Sequence, residues 1–415
     1  MKNKNKEKSK PNWLAYFIYT IFSKLFCLIH GIKIDRKVLK EQLKKQKKEK
    51  KGFIVIYNHH SNNDHWIFSA SMNYHRTNYV LARYFYYNKT IRTITSWVKA
   101  IFKEQFKADL SSIRQMKRAV DRPGILAIAP AGQISIDGGH QFVSRGIVKL
   151  VRLCKVDVIG LVIKGTHYAF PKWRNSSRKY PCSASFCHVL NADEMAELTD
   201  DEIYERIYQV SSIDAAELQR KDNYVIKSNR RAEGLEKIIY LCPKCNSYHS
   251  YKTIGNELIC KNCGNTVVYN KYGNFEPKNN KVDVAFINEN AWTDYQITKI
   301  KEQIQNDPNF HLENQFELYR DLRIPNNLEK VGEGVLCLTK EKLFYKGTLN
   351  GEPYEKSFSL NSIFQLPFSP AKHFYVPDDE GPFKFKPLDD VSTIMQWVET
   401  IDAMRKIREE EGKVY

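Results

Sequence analysis

Long apolar runs are scarce in this 415-residue chain, and its one long stretch is marginal for a straight bilayer span. The longest apolar run, Trp13–Ile29, has 17 residues with Lys24 inside it, whereas a span needs about 20. There is no Gly-X-Y period, no sustained heptad and no internal repeat, which removes collagen, coiled-coil and solenoid architectures. No small-x-small cleavage site follows the apolar run, so a secretory leader is its weaker reading. No G-x-S-x-G elbow marks a serine nucleophile. The nine cysteines form no even framework, since Cys27, Cys154, Cys182, Cys187 and Cys337 are scattered. A secreted disulfide scaffold fits this poorly, and a reducing, cytoplasmic compartment is expected.

What is present is a globular composition. With 42% hydrophobic and 13% aromatic residues, wholesale disorder is excluded, and at about 150 residues per domain the length suggests two or three domains. The net charge of +18 is uneven: residues 1–51 hold 16 Lys/Arg against 4 Asp/Glu, while residues 271–415 hold 19 against 24. A basic N-terminus flanking an apolar segment points first to anionic lipid and only then to nucleic acid. An aromatic-rich helix lying in the membrane interface, with the basic stretch 36–51 as second anchor, suits two-signal binding. A buried core helix and a solvated linker helix are the plainer readings of the two segments. Basic residues on both sides of the apolar run give no orientation signal.

The pattern divides the chain into an N-terminal segment (1–51), an α/β domain (52–235), a cysteine ribbon (236–270), a helical linker (271–312) and a C-terminal β domain (313–415). In the α/β domain, strands are expected at Phe53–Tyr57, Tyr79–Ala82, Ile125–Ala129, Val156–Ile163 and Ser183–Val189. Helices are expected near 64–74, 91–103, 110–121, 142–154 and 199–210. Strands alternating with helices imply a mixed sheet covered by helices. The ribbon is expected to end near Tyr269, and the linker to hold a helix over 291–305. Beyond about 314, short strands at 334–338, 342–346, 354–360, 373–376 and 382–386 precede a helix at 389–407 anchored by Trp397, a pleckstrin-homology-like arrangement. The cluster Tyr84-Phe-Tyr-Tyr87 reads as core or lipid contact.

The sharpest local feature is Asn58-His59-His60-Ser61-Asn62-Asn63-Asp64, after one predicted strand and opening a helix. Ser61, Asn62 and Asn63 are good N-cap types, so the turn is locally encoded. Asp64 falls in the first helical turn, and the five-residue step lets its carboxylate reach one nitrogen of His59. The other nitrogen then acts as a general base on a substrate hydroxyl. A purely structural His–Asp hydrogen bond is the competing reading.

The pattern Asn-His-x-Ser-x-x-Asp after a short strand resembles the first motif of the lysophospholipid acyltransferase family, which includes 1-acylglycerol-3-phosphate acyltransferase. The resemblance runs from about residue 12 to about 240. It takes in Val80-Leu-Ala-Arg83, then Ala100-Ile-Phe102-Lys103-Glu104-Gln105 as second motif, and Asp109-Leu-Ser-Ser112 leading into a helix. Ile128-Ala-Pro130-Ala131-Gly132-Gln133-Ile134-Ser135 stands for the third motif, Phe142-Val-Ser-Arg145-Gly146 for the following step, and Val158–Val162 for the fourth. The resemblance implies that His59 is the base and Asp64 orients it. The donor would be acyl-CoA or acyl carrier protein, and the acceptor a lysophospholipid bound by Lys103, Gln105, Pro130, Ala131, Gly132, Gln133 and Arg145. Backbone N–H groups near Gly132 are the implied oxyanion donors.

The chain departs from the family at the phosphate. Gln105, Ala131 and Ile134 stand where the family has Arg, Glu and Arg, and a two-point guanidinium grip on phosphate is not replaced by Gln and Ile. Three readings stay open: other cations, such as Lys103, Arg145 or Lys164, hold the phosphate; the acceptor lacks a terminal phosphate; or activity is much reduced.

Cys242-x-x-Cys245 and Cys260-x-x-Cys263-Gly264, fourteen residues apart, have the spacing of a tetrahedral four-thiolate zinc ribbon, structural because no coordination position stays open. The resemblance agrees, since some members carry a ribbon after a segment like Asn229-Arg-Arg-Ala-Glu-Gly-Leu235. His249 reads as a surplus surface residue. Tyr248, Tyr251 and Tyr269 with Lys252 and Lys261 give a modest basic-aromatic patch, the basis of the alternative that the chain binds nucleic acid.

Overall fold

The computed structural model describes residues 10–87, 89–104, 109–320, 328–378 and 381–412. The contacts separate two units: Met1–Lys172 with Ser176–Ile226, and Trp173–Asn175 with Lys227–Tyr415.

The first unit opens with helix α1 (Trp13–Ile29), strand β1 (Lys33–Asp35) and helix α2 (Lys37–Glu49). Then follow β2 (Phe53–Tyr57), α3 (Asp64–Met72), β3 (Thr77–Ala82), α4 (Lys89–Trp97), β4 (Ile101–Lys103), α5 (Leu110–Asp121) and β5 (Ile125–Ile128). The unit closes with α6 (Gly146–Cys154), β6 (Val158–Lys164), the short α7 (Thr166–Ala169), β7 (Ser183–Leu190), α8 (Asp200–Ser211) and α9 (Ala215–Asp222). The sheet order is β1-β7-β6-β2-β5-β3-β4. All pairs are parallel except β6–β7, so β1 and β7 run against the other five strands.

Phe53-Ile-Val-Ile-Tyr57 is buried at every position, as a β-branched strand covered on both faces should be. Alternate residues serve two cores. Phe53, Val55 and Tyr57 pack with Tyr16, Cys27, Ile67 and Phe68 of α1 and α3. Ile54 and Ile56 pack with Met116, Val148, Val151, Ile203 and Ile207 of α5, α6 and α8. A side chain at Gly52 would meet Gly124 O and Val120 O at 2.5 Å, so only glycine lets β2 start so close to the α5–β5 turn.

The predicted strands of this unit are present within two residues. The helix expected over 91–103 stops at Trp97: Lys99 turns into the left-handed region at φ 52°, and Ile101–Lys103 pair with Val80–Ala82 as an edge strand. The helix expected from 142 begins at Gly146. Strand β1 and helix α9 were not expected. The Lys-rich stretch is an ordered helix whose Gln42 and Lys45 reach Asp157 at 2.9 Å and 2.8 Å. Among the described residues, no helix is long and apolar enough to cross a membrane.

The second unit holds two antiparallel sheets. Strands β8 (Tyr251–Ile254), β9 (Glu257–Cys260), β10 (Thr266–Tyr269) and β11 (Phe275–Pro277) form the first, in the order β11-β10-β9-β8, so it runs past the expected end near Tyr269. Helix α10 (Glu289–Asn306) follows. The second sheet contains β12 (His311–Arg320), β13 (Glu329–Thr339), β14 (Leu343–Leu349), β15 (Glu352–Phe358), β16 (Phe368–Ser369), β17 (His373–Val376) and β18 (Phe383–Pro387). Its order, β15-β14-β13-β12-β18-β17-β16, is a four-strand meander joined to a three-strand meander through β12–β18. Helix α11 (Thr393–Glu410) closes it. Trp397 is fully buried: its ring lies 5.6 Å from Phe316 and 5.7 Å from Phe374, and its Nε1–H donates to Asn314 Oδ1 at 2.8 Å.

Candidate active site

The polar loop 58–63 leaves the carboxyl end of β2, a central strand, where open α/β sheets place their ligands. Asn58 anchors it: its Nδ2 donates to Ile163 O and its Oδ1 accepts the Ile163 N–H, both at 2.8 Å. Ser61 Oγ donates to Phe170 O at 2.8 Å and accepts the Asn63 N–H at 3.1 Å. The N-cap of α3 is Asn63, whose side chain makes no capping bond. The carboxylate of Asp64 works backward instead. Its Oδ2 accepts the N–H groups of His60 and Ser61, both at 2.8 Å, and lies 2.9 Å from His59 Nδ1.

Asp64 is fully buried and the His59 side chain is 24% exposed. The base–orienter geometry is therefore in place: Nδ1 faces the carboxylate, which leaves Nε2 to meet a substrate proton. The neighbouring His60 is 2% exposed. Burial, and then His167 nearby, hold its imidazole down at about 4, so it is neutral.

The loop after β5 lies against this one, since the Ser135 N–H donates to His59 O at 2.9 Å. Pro130 and Gln133 are half-buried in it, and Gln133 O accepts from Gln141 Nε2 at 2.6 Å. Gly132 takes φ 74° and its N–H donates to Ala129 O at 3.0 Å. That N–H, expected among the oxyanion donors, is thus committed to its own turn. Ala131 and Ile134 are buried, at 4% and 9% exposure, so these two positions are apolar wall. Lys103 ends the edge strand β4, and its Nζ donates to Glu104 O at 2.8 Å. Burial pushes its ammonium below the usual range. Arg145 caps α6 at the surface; it pairs with Asp201 and lies 4.8 Å from the Tyr204 ring. Gln105 lies outside the described residues.

Residues 37–164 match the Acyltransferase family model. The matched segment contains the whole His59–Asp64 loop and the loop after β5. Among solved structures, the 1-acyl-sn-glycerophosphate (LPA) acyltransferase PlsC from Thermotoga maritima is similar. Its identity is 15% and its TM-score 0.37, over 47% of this chain and 76% of that chain. No curated protein matches.

The four ribbon cysteines meet in space, with all four sulfurs within 4.8 Å of one another. Cys242 and Cys263 are 3.7 Å apart, and Cys245 and Cys260 3.8 Å. Zn–S bonds of about 2.3 Å in a tetrahedron set sulfurs about 3.8 Å apart, so the quartet fits such an ion. The two knuckles repeat one turn: the Asn246 N–H donates to Cys242 O at 2.9 Å, and the Gly264 N–H to Cys260 O at 3.0 Å. Asn246 and Gly264 take φ 55° and 74°.

His249 is not a surplus surface residue. Its Nδ1 lies 2.8 Å from Ser392 Oγ and its Nε2 2.8 Å from Gln396 Oε1, so it joins the ribbon to α11. Tyr251 and Tyr269 are buried, and the Tyr248 hydroxyl donates to Gln303 at 3.0 Å. The aromatic platform expected for stacking bases is therefore turned inward.

Proposed function

We propose that the chain transfers a fatty acyl group from acyl-CoA or acyl carrier protein to the hydroxyl of a lysophospholipid, 1-acylglycerol-3-phosphate first among acceptors. The observation that carries this is the His59 Nδ1–Asp64 Oδ2 bond of 2.9 Å inside the segment that matches the acyltransferase family. His59 Nε2 takes the acceptor's hydroxyl proton as its oxygen attacks the thioester carbonyl. The C–S bond then breaks, and the thiolate leaves with that proton. Base catalysis of this type is worth about 100- to 10,000-fold.

A second acceptor reading has its own support. Ala131 and Ile134 are buried and Arg145 is paired with Asp201, which favours an acceptor without a terminal phosphate. Lys103 is the cation that favours the first reading.

The N-terminal helix supports work at a lipid surface. Tyr16, Thr20, Ser23 and Cys27 face inward. Thr20 and Ser23 return their hydroxyls to Tyr16 O and Tyr19 O at 2.8 Å and 2.7 Å. Trp13, Phe17, Ile21, Phe22, Leu25 and Leu28 are exposed on the other side, an apolar stripe suited to lying in an interface. Lys24 leans over the Tyr74 ring at 4.0 Å, the ring on which Phe17 also stacks. We place the enzyme on the cytoplasmic face of the membrane as a peripheral or monotopic protein, with zinc in the ribbon as a structural ion and a C-terminal domain of pleckstrin-homology-like design.

The test is lipid analysis after expression of the wild type and His59→Ala. Purified protein is then assayed on lysolipids with and without a phosphate monoester. New acylated product from the wild type alone supports the reading; the same product from both sinks it. A wild-type preference for the phosphate-free lipid moves the acceptor to the second reading.

A further inference from the structure

The two loops that meet at His59 are fastened by a third segment, outside both the histidine motif and the family match. It is the turn between α8 and α9. Ile213 O accepts from His60 Nε2 at 3.0 Å. Ser212 O lies 2.9 Å from His140 Nδ1, and Ser212 Oγ accepts the Gln141 N–H at 2.7 Å and donates to Gln141 O at 3.0 Å. The Ala215 N–H donates to Gly138 O at 2.8 Å. Ser212, Ile213 and Ala215 therefore hold the catalytic loop at one residue, His60, and the loop after β5 at three, Gly138, His140 and Gln141.

His60 is the hinge pin of this arrangement. Its backbone N–H donates to Asp64, its Nε2 to Ile213 O, and its Nδ1 faces Asn58 Nδ2 at 3.3 Å. A neutral imidazole that donates at Nε2 and accepts at Nδ1 satisfies both side-chain contacts. His60 and Ser212 are 2% and 3% exposed, so water does not replace a lost partner easily. The far side is also tight. A side chain at Gly138 would meet His167 Nε2 at 2.8 Å.

We infer that residues 212–215 act as a buckle that fixes the spacing of the His59–Asp64 loop and the loop after β5, with His60 and Ser212 as positioning residues for acyl transfer. The inference rests on the reading of His59 as base. It assigns the pair no contact with substrate: they act by holding His59 and the 130–135 wall in register. Displacing a base by about 1 Å can lower a rate about 100-fold.

The experiment uses the full chain with palmitoyl-CoA and a lysophosphatidate, and compares His60→Leu, His60→Gln, Ser212→Ala and His59→Ala. Leu fills the space of His60 without a donor or acceptor; Gln supplies one of each. His60→Leu should lower kcat by about 100-fold with little change in KM. His60→Gln should recover most of the rate. Ser212→Ala should lower kcat in the same sense, by less. A folded His60→Leu protein with wild-type kcat overturns the buckle. If His60→Leu does not fold, Ser212→Ala decides: wild-type kcat there overturns it equally. An active His59→Ala protein overturns the base itself, whereas an inactive one beside unaltered His60→Leu and Ser212→Ala overturns the buckle alone.

Discussion

Replacing Asp64 by Asn removes a charge from a fully buried side chain and keeps its size. In the wild type Oδ2 gathers three N–H groups, from His59 at 2.9 Å and from His60 and Ser61 at 2.8 Å. An Asn oxygen can keep those three, but the NH2 then takes the place of Oδ1, a buried atom with no hydrogen-bond partner among the described residues. An unsatisfied buried donor costs about 1–3 kcal/mol. The larger effect falls on the reaction. As His59 takes the proton it becomes cationic, and at an effective dielectric of about 20 and a charge separation of about 4 Å the lost carboxylate is worth about 4 kcal/mol, or about 1,000-fold in rate. In a serine-protease triad the same exchange costs about 10,000-fold. Asp64→Asn should therefore fold and lose about 1,000- to 10,000-fold in kcat. Asp64→Ala strands two buried backbone N–H groups and should also lose about 2–6 kcal/mol of stability. Steady-state acyl transfer and urea unfolding measure the two effects. An Asp64→Asn protein within tenfold of wild type, or an Asp64→Ala protein of unchanged stability, refutes the reasoning.

Three further outcomes are expected. Metal analysis should find one zinc per chain, and Cys260→Ser should lose it together with the fold of the ribbon, because metal binding is much of a ribbon's folding energy; purified protein free of zinc would contradict this. At Asp157, burial alone would raise the carboxyl, but hydrogen bonds from Lys45, the Ala192 N–H and Gln42 outweigh it and hold it below the usual carboxylate range. Its stabilising contribution is present above the unfolded carboxylate pKa of about 3.9 and is lost as pH falls towards the lower folded value. Asp157→Asn should flatten that acid limb in urea unfolding, and parallel curves for wild type and variant would dismiss the assignment. Lys103→Gln should raise KM for a lysophosphatidate by about tenfold or more, the worth of a charge-assisted hydrogen bond, and leave a phosphate-free lysolipid unaffected. Arg145→Gln, assayed alongside, separates a phosphate contact from the Asp201 ion pair, since loss of the pair alone changes both substrates equally.

The sequence was most legible where a few neighbouring residues dictate the outcome. Phe53–Tyr57, a short β-branched run, reads as a buried strand and is one. The step from His59 to Asp64 brings two side chains together across one turn, and the knuckle spacing does the same for four sulfurs. It was least legible where a side chain's partner is distant in sequence. Strand β12 hides because Asn314 interrupts its inward apolar residues, and the donor to its Oδ1 is Trp397, 83 residues away. His249 looked superfluous until Ser392 and Gln396 gave it partners 143 and 147 residues on. Strands β1 and β4, three residues each, are too short for periodicity to register. His60 left one faint signal: a second imidazole in a turn that needs only one.

The same contrast bears on the acceptor. In the proposed reaction, oxygen activation depends on His59 and Asp64, close in sequence, whereas headgroup recognition draws on several loops. In those loops Ala131 and Ile134 are buried, Arg145 is tied to Asp201, and Lys103 sits where burial disfavours its charge. An anion bound beside Lys103 would favour its charged form, and a neutral headgroup would not. On the proposed reaction the base needs only a hydroxyl while the wall must match what is attached to it, so the wall residues rather than the dyad decide between the two acceptors.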